Sequence, residues 1–188
     1  MDHNRAIIYA LSVSLDGYIE GPDGDIGWSM PDGELHEHFN QQEKDIDIHL
    51  YGRGLYENMS GYWPSARDNP KASKEELAYA RLWLDMRKVV FSRTLKEVDW
   101  NATLASEDIA EEVARLKEEP GKNLSVGGPG LAASFMELDL IDEIHLYVFP
   151  VILGGGKRMF PVLAAPKKLQ LTDTQVFCSG VVRLRYTR

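Results

Sequence analysis

Short apolar runs alternate along this chain with stretches in which apolar residues recur every three or four positions. Residues 5–13 (RAIIYALSV) are dense in apolar side chains without strict alternation, the pattern of a strand covered on both faces. Residues 47–52 (DIHLYG), 88–92 (KVVFS), the run ahead of Gly127 and residues 143–149 (EIHLYVF) read the same way. Between them lie helical patterns. A helix is expected from about Pro31, with Asp32 as its N-cap and Leu35 and Phe39 four apart on one face. A second covers 74–85 through Leu77, Ala80 and Leu84. A third opens on Ser106, Glu107 and Asp108, carries Ile109, Val113 and Leu116, and stops at Pro120-Gly121. A fourth runs from the glycines at 127–130 to about Leu138. The tail offers two β-rich runs, 168–177 and 180–188, parted by Cys178-Ser179 like an antiparallel hairpin.

Strands alternating with helices imply right-handed βαβ units: a mostly parallel sheet with helices on both faces, made mixed by the terminal hairpin. No repeat or linker divides the chain, so residues 1–188 are read as one domain. Residues 14–28 (SLDGYIEGPDGDIGW) crowd four glycines and a proline among acids, and are read as a long irregular loop of the kind that serves function.

Composition narrows the classes. The chain has 188 residues and a formal net charge of −8, so phosphate backbones and anionic membranes are repelled on average, and an anionic ligand needs a local site. No nucleic-acid or membrane partner is expected. A single cysteine, Cys178, read as an ordinary thiol near a turn, excludes an internal disulfide framework and suits a reducing cytosol. The N-terminus, Met1 to Arg5, shows no secretory pattern, and no run reaches membrane-spanning length. A cytoplasmic protein is expected.

Residues 123–135 (NLSVGGPGLAASF) place Gly127, Gly128 and Gly130 where a buried strand hands over to a helix. Missing side chains let a ligand approach the backbone, and the helix start offers free N–H groups to an anion. The spacing is neither G-x-G-x-x-G nor a P-loop, so a purely structural tight turn stays equally open. Two more strand ends carry a cation: Gly52-Arg53 and Ser92-Arg93. Arginine forks onto phosphate and serine adds a hydrogen bond, although either arginine alone reads as a solvated surface charge.

Taken with 51–59 (YGRGLYENM), 89–95 (VVFSRTL), the long run 125–160 and the closing hairpin, these motifs resemble the dihydrofolate reductase-like family. The branch is that of the reductase domain of the bifunctional riboflavin-biosynthesis deaminase-reductase. The resemblance implies a three-layer α/β/α domain that binds NADPH, passes hydride to a small heterocyclic or carbonyl substrate, and forms a homodimer. It assigns Gly52, Arg53, Ser92 and Arg93 to the 2′-phosphate and its neighbours. Gly127, Gly128, Pro129, Gly130 and Leu131 would take the pyrophosphate, and Ser12 would lie near the nicotinamide amide. The loop from Asp16 to Trp28 would close over it. Asp16, Asp32 and Glu34 are the candidate catalytic carboxylates, with Asp32 also readable as a cap alone. His36 and His38 read as solvated helix positions and no metal is expected. Gly154-Gly155-Gly156 reads as a structural turn or a ligand contact. Riboflavin-pathway reductases carry a glutamate where this chain has Val126, and no zinc-bearing deaminase motif is present. For a substrate phosphate only Lys157 and Arg158 stand out. The alternatives to a general reductase are a riboflavin-pathway reductase in the strict sense and a non-catalytic nucleotide-binding protein that keeps the fold.

Overall fold

The computed structural model describes residues 5–188; Met1–Asn4, on which part of the N-terminal reading falls, lie outside them. Eight strands make one sheet in the order β5-β4-β3-β6-β1-β7-β10-β9. They are β1 (Ile7–Ser14), β3 (Ile46–Gly52), β4 (Arg87–Phe91), β5 (Ala102–Leu104), β6 (Asn123–Gly127), β7 (Glu143–Phe149), β9 (Gln170–Val176) and β10 (Val182–Thr187). The first six of that order are parallel, while β10 runs antiparallel to both β7 and β9. The expected mixed sheet with its closing antiparallel pair is therefore present. A separate two-stranded ribbon pairs β2 (Tyr18–Glu20) with β8 (Lys157–Arg158).

Alternate residues of the central strands feed opposite layers. Ile7, Tyr9 and Val13 of β1 join Ile144 of β7 in a core closed by Val113 and Leu116 of α4 (Ile109–Glu118) and Phe135 and Met136 of α5 (Pro129–Glu137). On the other face, Tyr147 and Phe149 pack with Leu35 of α1 (Gly33–Gln42). Beside them Tyr51 and Val90 pack with Tyr56 of α2 (Arg53–Ala66) and Trp83 of α3 (Lys74–Asp85). Two buried faces are why these strands read as continuous apolar runs. Asp32 is the N-cap of α1, as its sequence predicts, and α3 begins on a full capping box between Ser73 and Glu76.

Three features depart from the sequence reading. The sequence reading has no helix directly after β3, yet α2 starts at Arg53, held by Tyr56, Leu55, Met59 and Trp63 against the sheet despite Pro64 in its last turn. The strand β5 follows two left-handed residues, Trp100 and Asn101 (φ 60° and 55°). The loop 14–28 is not wholly irregular, because it contains β2.

Candidate active site

All the parallel strands point their carboxyl ends to one edge, and the register brings three of them side by side. Gly52 stands opposite Phe91, and Tyr51 opposite Gly127. Both α2 and α5 begin at this edge with glycine N-caps, Gly52 and Gly128, and neither has a side-chain cap. Their first-turn N–H groups, lacking intrahelical acceptors, are available to an anion. The glycines have separate physical reasons. Gly128 has φ +88°, a conformation L side chains resist. A β-carbon on Gly127 would overlap its neighbours, whereas one on Gly130 would meet nothing within 4 Å.

A cleft of about 620 Å³ lies along this edge, lined by Gly52, Phe91, Ser92, Arg93, Gly130 and Leu131, with Glu107 and Asp108 on the side of α4. Arg53 donates from Nε to Glu57 Oε1 at 2.9 Å and from Nη1 to Thr94 Oγ1 at 3.1 Å. The Arg53–Glu57 pair is about half exposed, so water screens it and its guanidinium can exchange partners at little cost. The Ser92 hydroxyl accepts from the backbone N–H of Thr94 and Leu95, which sets the turn leaving β4. Arg93 is exposed and makes no hydrogen bond or ion pair among the described residues. Thr94, directly after Ser92-Arg93, joins these residues through its bond to Arg53, which no pattern in the sequence marks.

The other half of the edge is formed by the ends of β1 and β7, where Ser14 stands opposite Phe149 and Ser12 opposite Tyr147. Trp28 packs edge-on against Phe149, ring centroids 5.6 Å apart. Asp32 accepts from the Leu35 N–H at 2.8 Å, and Glu34, exposed on the first turn of α1, accepts from the Cys178 N–H at 2.9 Å. The Glu34 carboxylate in turn pushes the exposed Cys178 thiol up from its ordinary value. Asp16 accepts from the Ser14 hydroxyl at 2.7 Å and from the N–H groups of Leu153 and Gly154 at 3.1 and 2.7 Å, and these bonds, that of Ser14 foremost, hold its carboxyl below the usual range.

Gly154 and Gly156 have φ of +73° and +126°, and a β-carbon on Gly156 would lie 1.9 Å from the Glu20 carbonyl oxygen. That turn is shaped by backbone geometry and by its approach to β2. Lys157 pairs with Glu20 at 3.1 Å, and Arg158 lies over the Tyr18 ring at 5.4 Å. His38 bonds Tyr147 through Nε2 at 3.0 Å, and burial lowers the pKa of both His36 and His38. Among the described residues no group of three or more His, Cys, Asp or Glu could hold a metal. Val126, where a glutamate was the riboflavin-pathway pattern, is buried in the core shared with α4 and α5.

Residues 5–183 match the family described as RibD C-terminal domain, and the chain belongs to that family. Two relatives in Bacillus subtilis (strain 168) extend over almost its whole length. The uncharacterized protein YyaP is 38% identical over 185 residues, 97% of this chain and 94% of that one. The uncharacterized protein YwjB is 31% identical over 187 residues, 98% of each. Among solved structures, a protein of Shewanella sp. PV-4 named for riboflavin biosynthesis superposes with a TM-score of 0.78 at 24% identity, over 97% of this chain and 98% of its own. The diaminohydroxyphosphoribosylaminopyrimidine deaminase/5-amino-6-(5-phosphoribosylamino)uracil reductase of Thermotoga maritima gives 0.68 at 18% identity, over 98% of this chain and 56% of its own. At these identities the structures establish the fold, which is dihydrofolate reductase-like.

Proposed function

We propose that this protein is an NADPH-dependent reductase acting on a small heterocyclic or carbonyl substrate. The carrying observation is the strand edge where Arg53, Thr94, Ser92 and Arg93 stand beside the uncapped starts of α2 and α5. The cleft supports the reading: Ser92 and Arg93 line it together with Gly130 and Leu131, and Gly130 leaves the backbone of the first helical turn bare. In this reading Arg53 and Ser92 hold the 2′-phosphate, the turn from Gly127 to Leu131 holds the pyrophosphate, and Ser12 lies near the nicotinamide amide. Bound NADPH supplies the hydride. The chain's own work is to orient the cofactor, exclude water beneath Trp28 and deliver a proton from a carboxylate at the start of α1.

NADPH and NADH titrations followed by tryptophan emission, then turnover with pterins, pyrimidines and simple carbonyl compounds, test the reading. Tight NADPH binding with turnover on one substrate class is expected. Binding without any turnover would favour a nucleotide-binding protein that keeps only the fold, and no binding would remove the proposal. We also propose that the protein works as a homodimer in the cytoplasm. The edge strand β9 is exposed almost throughout, with Leu171 48% and Val176 72% accessible, and a second copy would cover it. Light scattering should give twice the chain mass, falling to the monomer in Val176→Lys.

A further inference from the structure

The loop after β1 is fastened to the turn after β7, and the fastening runs through one side chain. Asp16 sends one carboxylate oxygen to the Leu153 N–H and the Ser14 hydroxyl, and the other to the Gly154 N–H. These donors lie 137 and 138 residues away along the chain, apart from Ser14. Around this point the backbone is laced together: Leu15 donates to the Val151 carbonyl at 2.8 Å and Met159 to the Gly17 carbonyl at 3.3 Å. The Ser14 hydroxyl is itself pinned, because it accepts from the Tyr18 N–H at 2.9 Å while donating to Asp16. Beyond it β2 pairs with β8, and Gly156 lets the two backbones approach where any β-carbon would collide with Glu20.

A carboxylate that receives three donors has its lone pairs engaged and is stabilised as the anion. Such a group is poorly disposed to take or give a proton. It is well disposed to hold two loops, because two backbone N–H groups of a turn rich in left-handed glycine would otherwise compete for water. We propose that Asp16 is a positioning residue: it clamps the 15–28 loop to the 151–156 turn and so fixes the substrate end of the site without transferring a proton. The inference rests on the reductase reading only for its consequence in turnover; the clamp itself is a property of the chain alone. Trp28, at the far end of the same loop, reports on it, since its ring packs on Phe149 and its Nε1–H donates to the Asp25 carbonyl.

The experiment compares the full-length protein with Asp16→Ala, Asp16→Asn and Ser14→Ala. In Asp16→Ala, amide hydrogen exchange at Leu153, Gly154 and the 15–28 loop should quicken by about tenfold or more while exchange in β3 and β4 stays unchanged, the sign of local opening. Asp16→Asn keeps one acceptor oxygen and should fall between, as should Ser14→Ala, which removes one donor. NADPH affinity, set at Arg53, should change by less than about twofold, whereas turnover should drop by about tenfold or more with both limbs of its pH profile in place. Unchanged exchange at Leu153 and Gly154 in Asp16→Ala would overturn the clamp. Loss of one pH limb in that variant would make Asp16 a proton-transfer group and overturn the positioning role. Should the wild-type protein bind no NADPH, the reductase reading fails, and the exchange data alone still decide whether Asp16 clamps the loops. A global loss of protection in Asp16→Ala leaves Asp16→Asn and Ser14→Ala to give the same local readout, and no local quickening in either would count against the clamp.

Discussion

A β-carbon on Gly127 would lie 2.5 Å from Cδ2 of Leu55 and 3.1 Å from the ring of Tyr51. The first turn of α2 therefore sits directly on the end of β6, and the starts of α2 and α5 converge because a glycine permits it. Gly127 is a packing requirement, while Gly130 faces open space. Gly127→Ala should lower stability by about 1–3 kcal/mol through overpacking. Gly130→Ala removes a helix-weakening residue and should leave the fold as stable or up to about 1 kcal/mol more stable. If the pyrophosphate approaches the first turn of α5, that same variant should bind NADPH several-fold more weakly. Denaturation curves and cofactor titrations on both variants separate the two roles; unchanged NADPH affinity in Gly130→Ala would remove the pyrophosphate assignment.

The cation beside that turn should discriminate between cofactors. Arg53 holds Glu57 and Thr94 through two of its nitrogens, in an exposed pair that contributes little to the fold. Arg53→Ala should cost NADPH about 1.5–3 kcal/mol, the worth of a hydrogen-bonded charge pair, and NADH much less. Thr94→Val should show the same selectivity with a smaller loss. Calorimetric titration with both cofactors measures the difference, and an equal loss for NADH would mean that Arg53 does not read the 2′-phosphate.

The amino-terminal edge of the sheet sets an acid limit. Glu143 accepts from His145 Nε2 at 2.9 Å and from Arg185 at 2.8 and 2.9 Å, and these partners, His145 foremost, hold its carboxyl down at about 2. The folded value lies below the unfolded one, so this contribution is complete above the ordinary glutamate range and is lost as pH falls towards about 2. It amounts to on the order of 2–3 kcal/mol at neutral pH. Glu143→Gln should flatten the stability profile across that window, as urea midpoints taken at successive pH values would record. A variant curve parallel to that of the wild type would assign the acid limit to other groups.

How much of this could be read from the chain alone follows from where each feature gets its stability. The helices α1 and α3 announce themselves because Asp32 and Ser73 cap locally and their apolar residues keep one period. The helix α2 does not: Gly54, Gly61 and Pro64 interrupt its sequence, and what stabilises it is the packing of Tyr56 and Trp63 with distant Trp83 and Tyr51. The short strands β2, β5 and β8 have two or three residues each, too few for a period. At the site, Arg53, Ser92 and the glycines are visible by residue type at strand ends. The donors to Asp16 are backbone N–H groups far along the chain, which no side-chain pattern marks. Thr94 shows itself only once Arg53 is seen to reach it.

The proton needed after hydride transfer points to the start of α1. Asp32 is engaged as the N-cap, its oxygen taken by the Leu35 N–H, so Asp32→Ala should cost about 1 kcal/mol of stability before anything else. Glu34 is tied by Oε2 to the Cys178 N–H, which steadies the side chain while Oε1 makes no hydrogen bond among the described residues. It is exposed, carries no cationic partner among the described residues, and adjoins Leu35, which packs with Trp28 and Phe149. Glu34→Gln keeps an acceptor for Cys178 but cannot ionise. Turnover should therefore fall by about 10²–10⁴-fold, the usual worth of a general acid, with one limb of the pH profile gone. NADPH affinity, set at Arg53 and Gly130, should change by less than about twofold, because no charge at the phosphate end is touched. The measurement is a pH–rate profile for Glu34→Gln and Asp32→Asn on the substrate that the panel finds. Profiles matching the wild type in both variants would mean that the proton comes from solvent or from another group, and Glu34 would lose its role.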